Sequence, residues 1–406
     1  MTSNDTSSAP GLDTAVLALM AIATGLAVAS NYYAQPLLHK IGEEFSLSND
    51  VAGLVVTVAQ LAYAVGLCLI VPLGDMFERR NLIFCMILLS AGGLLVTALA
   101  PGFMLVLAGT ALTALLSVVA QVLIPYAATL AGPRSGGKAV GTLMTGLLLG
   151  ILLARTVAGV LSDLGGWRLV YWVAALLLLA MAFVLRRILP SHPVARAGVG
   201  YPELLASVAR LFREEPLLRS RAMLGALVFM TLSVLWTSMT FLLANPPYGY
   251  SESTIGLFGL AGAVGALAAA PIGRQADRGQ AARSTRIGLA LLLASWLPLA
   301  LAPHSIVALL AGILVLDLAV QAVHISNQSS LYRLRPEARS RLTAAYMTAF
   351  FVGGASGSLV SAWMYTRAGW NGVVAAGALS SLAALAYGTI GPGRRLPVPG
   401  PADRPS

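Results

Sequence analysis

The sequence predicts an all-α membrane protein with twelve transmembrane helices in two pseudo-symmetric six-helix bundles. Three observations predict this class: the composition, the spacing of the apolar runs and the placement of the basic residues. Of 406 residues, 57% are hydrophobic and only 10% are charged. Such a chain has too little polar surface to coat a soluble globule, so the composition excludes a soluble enzyme and a disordered chain. A transmembrane helix needs roughly 20 mostly apolar residues, which leaves room for several spans.

Apolar runs follow one another along the chain with short polar connections between them. Residues 190–221 form the longest polar stretch, with four prolines and five arginines, and separate six runs from six more. We therefore predict two six-helix bundles, residues 13–189 and 222–391, joined by a cytoplasmic linker over 190–221 and flanked by cytoplasmic tails, 1–12 and 392–406. The predicted spans are 13–36, 51–73, 82–100, 103–130, 139–161, 168–189, 222–244, 254–273, 286–302, 305–331, 342–364 and 371–391.

The basic residues predict the orientation, because Lys and Arg concentrate in cytoplasmic loops. With the N-terminus inside, 22 of the 26 basic residues lie in cytoplasmic segments; the others are Lys40, Arg168, Arg367 and, within a span, Arg155. We expect a multi-pass protein of the cytoplasmic (inner) membrane with both termini in the cytoplasm. The net charge of +10 comes from separate short loops, so no nucleic-acid partner is expected. No basic residue precedes the first apolar run, so this span is expected to be retained.

Weak internal repeats favour two duplicated halves. The segment 165–168 (Gly-Gly-Trp-Arg), after the fifth run, matches 368–371 (Ala-Gly-Trp-Asn), after the eleventh. A second match pairs 64–66 (Ala-Val-Gly) with 263–265 (Ala-Val-Gly). Transporters are often built from such repeats, which rock about a central site.

Two charges lie deep within apolar spans: Asp317 is the only acidic residue so placed, and Arg155 the only basic one. Such a residue costs about 2.5–3.5 kcal/mol at the centre of a membrane helix, so a functional role is the default interpretation. Gln321, His324 and Gln328 follow Asp317 at helical spacing on one face of span ten, and Asn327 flanks this face. The polar face is interpreted as cavity lining, with helix-to-helix hydrogen bonding as the alternative.

Asp317 and Arg155 differ in depth by only ~5 Å along their helices. We therefore hypothesise a direct ion pair that protonation of Asp317, or an anionic substrate at Arg155, would break. His324 is a third candidate for proton coupling. Further candidates for substrate contact are polar or aromatic residues of other spans: Tyr33, Gln60, Tyr63, Gln121 and Trp236.

Enzyme motifs are absent from the sequence. It has four histidines and no HExxH, GxSxG or Walker sequence. We expect no cofactor, no metal site and no catalytic residues, and energy from an ion gradient.

The loop between spans two and three carries a family resemblance. Residues 73–80, Leu-Gly-Asp-Met-Phe-Glu-Arg-Arg, resemble the GxLADRxGRR motif of the major facilitator superfamily, and specifically of its drug and metabolite exporter branch, which includes drug:proton antiporters. Residues 273–279 keep the GxxxDR core in the second half. The resemblance implies the major facilitator fold and a conformational latch between the halves, with these members: Asp75, Glu78, Arg79, Arg80, Gly273, Asp277 and Arg278. A second register, which pairs Glu78 with Asp277, stays open.

Span five is similar to the antiporter motif of this branch. Its glycines bend the helix and allow close packing, and they persist here as Gly141, Gly146, Gly150 and Gly159, whereas the Gly-Pro pair of the motif falls on Ala154 and Arg155. The resemblance implies a monomer in the lipid bilayer that moves a small molecule by alternating access, with protons as the coupling ion and export as the direction. An uptake symporter or a facilitator is the alternative, and a membrane-embedded enzyme or a channel is a weaker one.

Overall fold

A computed structural model describes residues 13–191, 200–267, 281–332, 334 and 339–389. Within these ranges every regular element is a helix, as the apolar runs predict. A 3₁₀ turn, Val71–Asp75, follows α4. The α-helices are α1 Thr14–Ala29, α2 Ala34–Glu44, α3 Asn49–Ala52, α4 Leu54–Leu69, α5 Arg79–Ala98, α6 Phe103–Leu116, α7 Val119–Gly165, α8 Trp167–Ile188, α9 Tyr201–Glu214, α10 Pro216–Ala244, α11 Glu252–Leu267, α12 Ala281–Ala294, α13 Trp296–Ala300, α14 Ile306–Tyr332 and α15 Arg339–Thr389.

The described helices overlap all twelve predicted spans. Nine of the described helical stretches are long and apolar enough to cross a membrane. Two of the helices hold two spans each: α7 changes direction at Gly132 and α15 at Gly369, where the backbone leaves helical geometry. The all-α class is confirmed, and α1–α8 and α10–α15 are called the N-terminal and C-terminal halves below.

The predicted linker contains regular structure. Helix α9, Tyr201–Glu214, lies within residues 190–221, and α10 begins at Pro216, earlier than the predicted start of span seven. Tyr201 donates a hydrogen bond from its hydroxyl to the carbonyl of Leu69, 2.8 Å away. The linker therefore contacts the end of span two.

The repeat between the halves is visible in the backbone. Gly166 and Gly369, which the sequence match aligns, both have a positive φ, 78° and 57°, and both separate two consecutive spans. Glycine adopts this conformation without the strain that a Cβ causes. The aligned tryptophans next to them act as donors: Trp167 Nε1 lies 2.5 Å from Glu44 Oε2, and Trp370 Nε1 lies 2.7 Å from the carbonyl of Leu299.

Glycines bring α7 close to two other helices. A Cβ at Gly150 would lie 2.6 Å from the Cα of Gly25 on α1, which leaves no room for a side chain. A Cβ at Gly159 would lie 2.7 Å from the carbonyl carbon of Glu252 on α11. Gly150 and Gly159 therefore bring span five close both to α1 of its own half and to the opposite half, whereas Gly141 makes no close approach.

Two apolar cores hold the spans together. One fills the N-terminal half and extends to residues of α10, α14 and α15, including Phe229 and Phe350; the other lies within the C-terminal half around Trp296 and Leu316. We call the membrane side where α1 begins the proximal face, and the side where α2 ends, at Glu44, the distal face. The two halves meet across the site described next.

Candidate functional site

Arg155 lies in the interior of the protein between the two halves. Its Nε donates a hydrogen bond of 2.6 Å to Oε1 of Gln35, and both side chains are buried. The guanidinium carbon lies 3.9 Å from the ring centroid of Trp236 and 5.1 Å from that of Tyr32. The cation is thus held against two aromatic rings, an arrangement that stabilises a partly desolvated guanidinium.

Trp236 connects Arg155 to Asp317. The indole Nε1 donates a hydrogen bond of 3.4 Å to Asp317 Oδ1, while the ring faces the guanidinium. Trp236 is 3% exposed and Asp317 9% exposed. The three side chains therefore form a continuous series from the N-terminal half to the C-terminal half.

Arg155 and Asp317 form no direct ion pair in this conformation, although the two groups interact electrostatically across the indole. Within the described ranges, Asp317 Oδ2 is buried and has no hydrogen-bond partner. A Cβ at Gly262 would lie 2.7 Å from this oxygen, so α11 covers it. The sequence predicts that the two residues lie at similar depths along their helix axes, but it does not predict the lateral distance between their side chains. The indole of Trp236 lies between these side chains and contacts both.

Glycines of α11 line the opposite side of the site. A Cβ at Gly256 would lie 2.5 Å from the carbonyl oxygen of Arg155, and one at Gly259 would lie 3.1 Å from its Cβ. Because these positions lack side chains, α11 approaches both Arg155 and Asp317 closely. A larger residue at any of them would displace one of the two charges.

Hydrogen bonds join the halves beside these charges. Thr240 of α10 donates to the backbone carbonyl of Gln35 at 2.8 Å, and Thr156 of α7 donates to that of Gly256 at 3.0 Å. Each bond crosses from one half to the other. The site is therefore closed by contacts between the halves.

A charged contact between the halves lies at the distal face. Lys40 of α2 pairs with Glu252 of α11, with Nζ 2.7 Å from Oε2, and also approaches Asp163 of α7 at 3.5 Å. The backbone N–H of Ser253 donates to Asp163 Oδ2 at 3.1 Å. These contacts close the distal face.

An aromatic cluster lies nearer the proximal face. Phe229 and Phe350 stack with ring centroids 4.1 Å apart, and Tyr63 of α4 contacts Phe351 at 4.3 Å. His324 belongs to this cluster: its ring lies 4.7 Å from that of Phe350, and its Nδ1 is 3.0 Å from the Tyr346 hydroxyl. His324 is thus held by aromatic neighbours, and no described contact links it to Asp317.

The other predicted residues of span ten have different surroundings. Asn327 is fully buried and exchanges hydrogen bonds of 3.4 Å with Arg221 of α10, through the guanidinium and the backbone carbonyl. Gln328 donates to the sulfur of Met347 at 3.9 Å. Asn327 and Gln328 therefore bond to neighbouring helices, the alternative that the polar face left open, while Gln321 stays partly exposed.

The remaining candidates are distributed over two places. Gln60 is buried, and its Oε1 lacks a hydrogen-bond partner among the described residues; Gln121 approaches Tyr63. Tyr33 lines a largely apolar cavity of about 710 Å³ between α1, α7 and α8. Its neighbour Tyr32 contacts Arg155.

The predicted latch is described in part. Arg79 donates from Nε to the carbonyl of Gly74 at 3.2 Å and from Nη1 to Thr129 at 3.3 Å. Glu78 accepts a hydrogen bond from Asn81. Arg80 stays partly buried, and Asp75 ends the 3₁₀ turn. The members from the second half lie outside the described residues: Gly273, Asp277 and Arg278.

Sequence reasoning missed three groups of the site. Tyr32 and Gln35 contact Arg155 although only Tyr33 was predicted from this segment. Lys40 and Glu252 pair across the halves although they lie near the ends of distant spans. The only sequence signal for Tyr32 was its position next to the predicted Tyr33, at the break between α1 and α2.

The helices and the buried charges between the halves define a multi-pass membrane transporter, and comparisons with known proteins agree. A family model described as the Major Facilitator Superfamily matches residues 20–333 and 223–405. The chain is 58% identical over 374 residues to YgaY, an uncharacterized transporter of Escherichia coli strain K12, covering 92% of this chain and 95% of that protein. A probable sugar efflux transporter of Haemophilus influenzae strain PittGG is 24% identical over 357 residues, covering 85% of this chain and 86% of that one.

Solved structures share the fold. The nucleoside transporter NupG matches with a TM-score of 0.76 at 15% identity, covering 92% of this chain and 99% of that one. The chain belongs to the Major Facilitator Superfamily. It is a transporter with twelve transmembrane helices in two six-helix bundles, and it is not an enzyme.

Proposed function

We propose that this protein is a proton-coupled exporter of a small molecule, with Asp317 as the proton carrier. The observation that carries the proposal is the series Arg155, Trp236 and Asp317, which joins the two halves at buried charges. An anionic carboxylate with an unpartnered buried oxygen is costly. Asp317 therefore holds a proton in this conformation and releases it when the halves separate.

Alternating access is supported by where the halves touch. The contacts Lys40–Glu252 and Thr240–Gln35 lie towards the distal face, so that face is closed. With both termini in the cytoplasm of a bacterial inner membrane, as the basic loops favour, the closed distal face is the one away from the cytoplasm, and the protein works as a monomer. The two bundles, 13–189 and 222–391, then rock about the site.

Export is the proposed direction because of the motif in span five and the loop after span two. The relationship to a sugar efflux transporter, at 24% identity, points the same way. Proton-coupled uptake, or facilitated passage of a small metabolite, is the second candidate. The free cation at Arg155 would suit a symporter that takes up an anion with a proton.

The test is retention of a small-molecule panel in efflux-deficient cells that express the intact chain or Asp317→Asn at matched membrane abundance. Glu214→Gln, an exposed carboxyl on α9, is the control. We expect a compound that the intact chain and the control expel and that Asp317→Asn retains. Equal retention in all three would contradict export of that panel.

A second measurement decides the direction. In vesicles with an imposed pH gradient, an antiporter moves the substrate against the proton flow and a symporter moves it with the flow. Substrate movement that does not depend on the pH gradient would exclude proton coupling for both the antiporter and the symporter.

A further inference from the structure

The guanidinium of Arg155 has hydrogen-bonding capacity that the protein does not use. An arginine carries five N–H donors, and here only Nε has a protein acceptor, Gln35 Oε1 at 2.6 Å. In the described chain, Nη1 and Nη2 make no hydrogen bond, and they are not among the fully buried unpartnered atoms. The outer edge of the guanidinium therefore keeps N–H donors that are neither bonded to the described protein nor fully buried.

No described carboxylate neutralises this cation by direct contact. Asp317 bonds to Trp236 and is covered by Gly262, and Glu252 pairs with Lys40. Arg155 is 7% exposed and lies between the rings of Trp236 and Tyr32. Asp317 interacts with this cation electrostatically but not by direct contact. A buried cation without a directly bonded anion is unfavourable by several kcal/mol, even when aromatic faces compensate in part.

One carboxylate oxygen of the acid in this site is enclosed by the protein. Asp317 Oδ2 is fully buried in this conformation, whereas the Nη atoms of Arg155 are not. A cationic substrate would add a second positive charge beside Arg155, and a neutral one would leave the guanidinium without a counter-charge. An oxyanion would bond to both Nη atoms with the parallel geometry that guanidinium groups favour.

We infer that the substrate carries a carboxylate or a comparable oxyanion, which binds to Nη1 and Nη2 of Arg155. The inference rests on the proposed transport and names the substrate class of that site. The rings of Trp236 and Tyr32 flank the bound group and limit its contact with water. Asp317 lies on the other side of the Trp236 indole. When the oxyanion neutralises Arg155, the electrostatic environment of Asp317 changes as well.

Ligand binding to the purified full-length chain in detergent tests this inference without requiring transport. The probes are acetate, benzoate and gluconate, each matched with a neutral counterpart: acetamide, benzamide and glucose. Binding is read from tryptophan fluorescence, because Trp236 lies against the site, and from thermal stabilisation. Arg155→Gln removes the charge, and Arg155→Lys keeps the charge without the planar fork.

Arg367→Gln is the matched control. Arg367 also lies over a tryptophan, with its guanidinium carbon 4.8 Å from the ring of Trp363, but both residues are exposed. We expect at least one carboxylate to bind saturably to the intact chain and to Arg367→Gln, and its neutral counterpart not to bind. Arg155→Gln should weaken this binding by about tenfold or more, and Arg155→Lys by less.

Three results would overturn the inference: no carboxylate binds, a neutral counterpart binds equally well, or Arg155→Gln binds the carboxylate as the intact chain does. Size-exclusion profiles and unfolding temperatures of the variants show whether they are folded, and Arg155→Lys gives a second reading if Arg155→Gln is not. Carboxylate binding together with no effect of Asp317→Asn on transport would reject the proposed proton carrier and leave the anion site standing.

Discussion

The guanidinium of Arg155 lies over the indole ring of Trp236, with its carbon 3.9 Å from the ring centroid. Arg155 belongs to the N-terminal half and Trp236 to the C-terminal half, so this contact forms or breaks when the halves move. The indole N–H bonds to Asp317 at the same time. One side chain thus connects the cation, the acid and the interface between the halves.

Trp236→Phe separates these roles. Phenylalanine keeps an aromatic face for Arg155 but lacks the N–H that Asp317 accepts. A hydrogen bond between neutral groups contributes about 0.5–1.5 kcal/mol, so we expect transport to be about two- to tenfold slower. The measurement is the initial rate of transport in vesicles at matched protein abundance.

The control for this prediction is Trp363→Phe, which alters an exposed tryptophan that also lies beside an arginine. It should transport at the rate of the intact chain. If Trp236→Phe did so as well, the hydrogen bond to Asp317 would have no role in the transport cycle.

The Lys40–Glu252 pair is expected to hold the distal face closed. Lys40→Ala removes the cation, and we expect a cysteine placed at Thr156 to be labelled several-fold faster by a water-soluble maleimide added from that face. The pair is partly exposed, so its contribution is about 1 kcal/mol or less. Labelling is measured in a chain whose own cysteines, Cys68 and Cys85, are replaced by alanine.

Two further variants make this experiment specific. His39→Ala removes a neighbouring side-chain contact within α2, between His39 and Glu43 at 3.3 Å, and should not change labelling. The charge reversal Lys40→Glu with Glu252→Lys should restore slow labelling. The restoration should be only partial, because Asp163 then faces the new carboxylate at position 40. Fast labelling by the His39 variant would show that the effect is not specific to the pair.

The loop motif yields a prediction that also decides its register. If Asp75 is the acid of the latch, Asp75→Asn should reduce transport strongly while membrane abundance stays normal, and Glu78→Gln should have little effect. If Glu78 corresponds to Asp277, the effects should be reversed. Transport rates and membrane abundance of the two variants are compared directly, and normal transport by both would reject the latch.

Sequence reasoning found the charges of the site but not their arrangement. Asp317 and Arg155 stand out because charged side chains are rare within apolar spans. Depth along a helix can be counted from the sequence, but the lateral placement depends on how α7, α10 and α14 pack. The indole of Trp236 therefore could not be placed between the two charges in advance.

The same limit explains the choice of Tyr33 over Tyr32. These residues lie at the break between α1 and α2, where helical periodicity no longer indicates which side chain points inwards. The spans themselves were predictable, since length and apolarity alone identify them. The linker was predicted only as a polar segment, and its helix α9 was missed because prolines and charges dominate its composition.

Two glycines of α7 should respond oppositely to the same substitution. A Cβ at Gly150 meets the backbone of Gly25 on α1, whereas a Cβ at Gly141 meets nothing within 4 Å. Gly150→Ala should therefore lower the unfolding temperature in detergent, because α1 and α7 must separate and core overpacking costs about 1–3 kcal/mol. Gly141→Ala should leave this temperature unchanged or raise it, since alanine favours a helix over glycine by about 1 kcal/mol. Equal unfolding temperatures of the two variants would show that the close approach of α1 and α7 does not contribute to stability.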